Sequence, residues 1–210
     1  LSWIYANRTN YNIVAVNMSW GDLMNHATET TAPAFSNELA LLANAGVACI
    51  ASAGNLYANW NDEFLLNGAP GAQYPAADPA VIAVGATWVA DTGNPAIFQE
   101  RAEDNQAWDY IQYTDKITAF SQRHETLLDI FAPGADLTTA YVGGGYITEQ
   151  KGTSGAAPHV TAAIALAQQL NDVFEFSPNR LTQSELVTLL KDTGVEIFDP
   201  SETDEINDNF

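Results

Sequence analysis

The run Gly152-Thr153-Ser154-Gly155-Ala156-Ala157-Pro158-His159-Val160 places a serine hydroxyl between small residues, directly ahead of an alanine-rich helical stretch. Small neighbours let a substrate carbonyl approach Oγ. The start of a helix offers main-chain N–H groups without intrahelical acceptors and the positive end of the helix dipole, both suited to a developing oxyanion. That combination is the chemistry of a nucleophilic serine, provided a base takes its proton. Gly152, Thr153 and Gly155 support the turn in this reading. The plain alternative is a Gly-Thr-Ser helix cap, but the string is longer than a cap needs. His159 lies on the same helix as Ser154 and points elsewhere, so it is not the expected base. His26 and His124 fall in polar stretches and read as surface histidines.

The elements that must position this serine alternate between strand and helix. Residues 13–17, 47–52, 81–84 and 128–132 are short apolar runs that predict strands. Residues 33–45 predict a helix with Pro33 in its first turn and Gly46 just beyond its end. Residues 154–170 predict the helix behind the serine, with Pro158 in its first turn. Its alanines at 156, 157, 162, 163, 165 and 167 suit close seating on a sheet as well as high helix propensity. Thr182-Gln183-Ser184-Glu185 is a capping box that opens a last helix ending near Gly194. Nearly all-apolar strands between helices imply an α/β fold, a three-layer, doubly wound, mostly parallel sheet with helices on both faces. Residues 56–72 and 89–116 are polar and read as surface loops rather than a second domain.

The nine-residue string resembles the nucleophile motif of the subtilisin-like serine proteases, the subtilases, and other segments resemble that family in the right order. Val16-Asn17-Met18-Ser19-Trp20-Gly21 is similar to the strand that pairs with substrate. Residues 46–55, ending in Ala53-Gly54-Asn55, are similar to the strand that delivers the oxyanion-hole asparagine. Tyr74-Pro75, Val81-Ile82-Ala83-Val84-Gly85-Ala86, Phe120-Ser121 and Ile130-Phe131-Ala132-Pro133-Gly134 resemble the segments that follow.

The resemblance implies roles. Ser154 is the nucleophile. Asn55 and the Ser154 N–H form the oxyanion hole, with Thr153 near it. Ser19, Trp20 and Gly21 on one side, and Ser52, Ala53 and Gly54 on the other, wall the primary specificity pocket. The glycines there leave room for a substrate side chain, and substrate adds as a strand. Many relatives carry methionine after the serine; Gly155 here removes an oxidisable sulfur and opens space beside the nucleophile. The family's acid and base precede the serine by roughly 190 and 157 residues in subtilisin, which from Ser154 passes Leu1. The resemblance therefore implies a partial peptidase domain over residues 1–210. Its Asp- and His-bearing part lies upstream, and its final strand is also expected outside the chain.

Composition sets the remaining bounds. The chain has 210 residues, 47% of them hydrophobic, with 26 acidic against 7 basic side chains and a net charge of −19. This suits one globular domain and disfavours nucleic acid and anionic membranes as partners. No run is long enough to insert into a membrane. Cys49, the single cysteine, cannot form an internal disulfide and reads as a buried strand residue.

The expectation is a serine endopeptidase acting on peptide or protein substrates through an acyl-enzyme, a monomer, secreted or in the cell envelope. It needs no cofactor or metal for the chemistry. A structural calcium is left open, but the acidic tail Asp199, Glu202, Asp204, Glu205 and Asp208 lacks an EF-hand spacing. The alternative is a non-catalytic subtilase-like binding domain. Esterase or transferase chemistry on the same serine is weighed against by the lack of a Gly-x-Ser-x-Gly elbow.

Overall fold

Residues 48–52 and 82–88 are buried at every position, as strands covered on both faces must be. The computed structural model describes residues 1–57, 69–91, 96–99, 106–109 and 113–197, with the main chain alone at 96–99 and 106–109. In chain order the elements are α1 (Ser2–Asn7), β1 (Ala15–Met18), α2 (Pro33–Asn44), β2 (Ala48–Ser52), β3 (Ile82–Trp88), β4 (Ala96–Gln99), β5 (Gln106–Asp109), β6 (Ile130–Ala135), β7 (Leu137–Ala140), β8 (Tyr146–Gln150), α3 (Thr153–Phe174) and α4 (Gln183–Thr193). Strands β1, β2, β3 and β6 form one sheet in that order, every pair parallel.

Alternation along the strands separates two cores. Ala48, Ile50, Ile82, Val84, Ala86 and Trp88 face α3 and α4, where they meet Ala156, Ala157, Val160, Ile164 and Leu186. Cys49, Ala51 and Ala83 point to the other face, with Met18, Leu39 and Leu42. Two cores divided by residue parity define helix, sheet and helix layers. Each fully buried side chain such as Ile50, Ile82 or Ile164 stabilises the fold by about 1.5–3 kcal/mol over its exposed state. Ala156 and Ala157 are fully buried, so small side chains do seat α3 closely on the sheet. Ala162 and Ala165 are exposed and contribute helix propensity instead.

Several expectations change. The ribbons β4–β5 and β7–β8 are antiparallel pairs within or beside stretches that read as irregular. Tyr57 and Ala72, at the margins of the first expected surface loop, are buried, as is Lys116 in the second. Residues 58–68, 92–95, 100–105 and 110–112 of those stretches lie outside the described residues, as does the acidic tail from 198 onward. Helix α1 had no clear signal. Pro158 sits in the second turn of α3, because the helix begins at Thr153. Among the described residues no helix is long and apolar enough to cross a membrane.

The capping box forms as expected: the Thr182 hydroxyl accepts from the Glu185 N–H and the Glu185 carboxylate accepts from the Thr182 N–H at 2.8 Å. Those bonds hold the Glu185 carboxyl below its usual range. A lowered carboxyl pKa gives stability present above the unfolded value and lost as pH falls through the folded one. Thr182→Ala removes the N-cap hydroxyl, a change that costs about 1 kcal/mol at typical caps; urea titrations should show a lower midpoint at neutral pH, with the part carried by the Glu185 carboxylate fading in acid.

Burial pushes the Cys49 thiol up to about 12, and the sulfur is fully enclosed. A thiolate is the reactive form. Cys49 should resist a disulfide reagent at pH 8 in the native protein and react fully in guanidinium. Native labelling within minutes would contradict the assigned burial.

Candidate active site

The carboxyl ends of parallel strands lie along one edge of a sheet, where open α/β folds gather functional groups. Here three of those ends are tied to the turn that starts α3. From β6, the Gly134 carbonyl accepts from the Gly152 N–H at 2.8 Å. From β2, the Gly54 N–H donates to Thr153 Oγ1 at 3.2 Å. Thr153 in turn donates to Asn55 Oδ1 twice, through its N–H and its hydroxyl, both at 2.8 Å. Just past β1, Ser19 Oγ donates to the Ser154 carbonyl at 2.9 Å.

The last bond has a cause inside the helix. Pro158 has no N–H, so the carbonyl four residues earlier, that of Ser154, lacks its helical donor. The Ser19 hydroxyl supplies one. The turn itself needs glycine at 152, where φ is +144°, a conformation that costs a side-chain-bearing residue dearly. Gly54 is similar at φ +113°.

The structure thus brings Ser154, Asn55, Thr153 and Ser19 together. Ser154 is exposed, and its Oγ bonds to the Ser19 carbonyl at 3.4 Å. As the second residue of α3 it has a main-chain N–H without an intrahelical acceptor. Asn55 turns Oδ1 toward Thr153, so its nitrogen is the end directed elsewhere. None of the three histidines is bonded to Ser154. His159 donates from Nδ1 to the Gly155 carbonyl at 2.8 Å. His26 Nε2 is 2.7 Å from Asp22 Oδ2, and His124 Nδ1 accepts from the Thr126 and Leu127 N–H groups at 3.2 Å. His26 and His124 are partly buried and bonded rather than plain surface groups.

Several expectations about the walls and the space between them are corrected. Strand β1 ends at Met18, so residues 19–21 lie beyond it. Gly21 and Gly54 do not leave an open slot. A Cβ on Gly21 would stand 2.1 Å from Gln73 Cδ, and one on Gly54 would stand 1.7 Å from Gln122 Oε1. Gly155 opens no space either, because Leu137 Cδ1 lies 2.5 Å from its Cβ position. Trp20 turns outward, 52% exposed, edge-on to Phe35 at 5.6 Å. Ser52 and Ala53 are fully buried at the end of β2. Gln73, Gln122 and Leu137 escaped the sequence reading because ordinary residue types at distant positions carry no local pattern.

A groove of about 1070 Å³ opens at the amino ends of the strands, between the end of α2 and the start of α4. It is remote from Ser154, and its Arg180 is engaged with the Ile13 carbonyl at 2.9 Å. Among the described residues no three His, Cys, Asp or Glu side chains group as a metal site would.

A three-layer parallel α/β domain with a serine turn over its strand ends is the subtilisin-like fold. The chain belongs to the subtilase family, whose model, peptidase S8, matches residues 1–206. It is 50% identical over 48 residues to the subtilisin-like serine protease Pen ch 13 of Penicillium rubens, a match taking in 23% of this chain and 12% of that protein. A solved cold-adapted subtilisin-like serine proteinase is 26% identical with a TM-score of 0.60, over 93% of this chain and 52% of that one. The prenylagaramide maturation protease PagA, 22% identical with a TM-score of 0.64, shares the fold over 97% of this chain and 59% of its own. The chain thus spans about half the length of these solved relatives.

Thr153 Oγ1 is the buried link between β2 and α3. Thr153→Val keeps the shape, removes both of its hydroxyl bonds and strands the Gly54 N–H. The expected loss is about 1–3 kcal/mol, read as a lower urea midpoint at unchanged m-value. No shift in midpoint would show that the link carries no weight.

Proposed function

We propose that this domain belongs to a serine endopeptidase in which Ser154 attacks the peptide carbonyl and forms an acyl-enzyme. The observation that carries the reading is the Thr153–Asn55 pairing. With Oδ1 held by two donors, the Asn55 amide nitrogen lies beside Gly152, 3.5 Å from its Cβ position, and the Ser154 N–H belongs to the helix start that follows. Two N–H groups at that place suit the oxyanion of a tetrahedral intermediate. The base and its orienting carboxylate are supplied by polypeptide beyond these residues, in keeping with the histidines bonding elsewhere. Proteins or peptides are the substrates, lying as an added strand beside residues 19–21. No metal or cofactor takes part in this chemistry, and the domain acts as a monomer outside the cytoplasm.

Two experiments test this. In the whole protein, a fluorophosphonate probe should label Ser154, and Ser154→Ala should abolish labelling. No labelling would favour the non-catalytic binding domain. Asn55→Ala should lower kcat by about 10²–10³-fold, the scale seen when subtilisin loses such a donor, with KM nearly unchanged. A raised KM at constant kcat would make Asn55 a substrate-binding residue instead.

A further inference from the structure

The gap between the two main-chain walls is filled by the chain's own side chains. Gln73 enters from the segment before Tyr74. Its Cδ stands 2.1 Å from the Cβ position of Gly21 and 3.4 Å from that of Gly54, so one carboxamide bridges from wall to wall. Its Nε2 donates to the Ser52 carbonyl at 3.0 Å and approaches the Ser52 hydroxyl at 3.2 Å. The side chain is therefore pinned, and the residue is only 5% exposed. Behind it, Gln122 Nε2 donates to Asn25 Oδ1 at 2.8 Å. Gln122 Oε1 presses against Gly54, buried and without a hydrogen-bond partner. A buried acceptor left unpaired is costly, so this carboxamide serves here by its bulk.

We propose that Gln73, backed by Gln122, sets the primary specificity of the site by closing it to large side chains. The residue on the acyl side of the scissile bond is then glycine, alanine or serine. This rests on the reading of Ser154 as nucleophile and of residues 19–21 and 52–54 as substrate walls. A leucine or phenylalanine side chain entering between the walls would overlap Gln73, and displacing Gln73 would break its bonds to Ser52 inside a closed region. A methyl group needs only a shallow notch.

The test is kcat/KM of the whole protease on peptide p-nitroanilides differing only in that residue. Alanine should be preferred over phenylalanine by about 100-fold or more. Gln73→Gly should cut that ratio by about 30-fold or more. Gln73→Met, of similar length but without the amide, should keep the preference for alanine. A wild-type preference for leucine or phenylalanine overturns the proposal whether or not the variants fold, and so does a Gln73→Gly profile identical to wild type. Loss of the alanine preference in Gln73→Met overturns the role of bulk. If no substrate of the series is turned over, the peptidase reading fails, and the plug is read from binding alone. Peptides ending in alanine should then bind the Ser154→Ala protein about 10-fold more tightly than those ending in phenylalanine, and the reverse order overturns it.

Discussion

The Thr153 hydroxyl holds the end of one strand to the start of one helix, and the geometry of the site follows from it. A hydroxyl can accept and donate at once. Thr153 uses both capacities, taking the Gly54 N–H and giving its own proton to Asn55 Oδ1. The residue is fully buried, so water does not compete for either bond. Asn55 is thereby oriented by the same residue that precedes Ser154, the proposed nucleophile. The two groups expected to face a reacting carbonyl share one anchor and cannot drift apart without breaking it.

The rest of the junction answers a deficit that the sequence itself creates. Pro158 removes one donor from α3, and Gly152 adopts a conformation with positive φ ahead of it. Both would loosen an isolated helix start. Here each loose end is taken up at the sheet's edge: Ser19, just past β1, supplies the donor that Pro158 lacks, and Gly134 of β6 accepts from Gly152. Parallel pairing makes this feasible, since it brings the carboxyl ends of β1, β2 and β6 to the same edge. The turn is tied to the sheet's edge at these points, and fixed donors are what a preorganised oxyanion site requires.

Legibility in the sequence tracked the range of the interactions. The all-apolar strands, the capping box at Thr182 and Glu185, and the serine string are local patterns, and their elements formed within a few residues of the expected bounds. The hairpin β7–β8 was not legible because its faces are weakly differentiated: β8 is exposed throughout, so no alternation marks it. Gln73 and Gln122 were not legible for another reason. They lie 21 and 70 residues from Ser52, and a buried glutamine in a loop looks like a solvated one until the fold closes around it. Leu137 against Gly155 is the same case.

Glycines show most plainly where a sequence argument stops. A missing Cβ tells that something approaches closely, and does not tell what. At Gly21, Gly54 and Gly155 the natural inference was a substrate or open space, yet in each case the approaching group is a side chain of this chain. The difference divides the site into two layers. The inner layer, from Gly152 to Gly155 with Asn55 and Ser19, is built on strand ends and a helix start and is positioned by main-chain geometry. The outer layer lies outside the parallel sheet: Gln73, Gln122 and Asn25 come from connecting segments, and Leu137 from the start of the β7–β8 hairpin. On the proposed function, reaction chemistry belongs to the first layer and selectivity to the second. On that reading, subtilases that share the serine string can differ in the side chains they admit, through residues that no short motif contains.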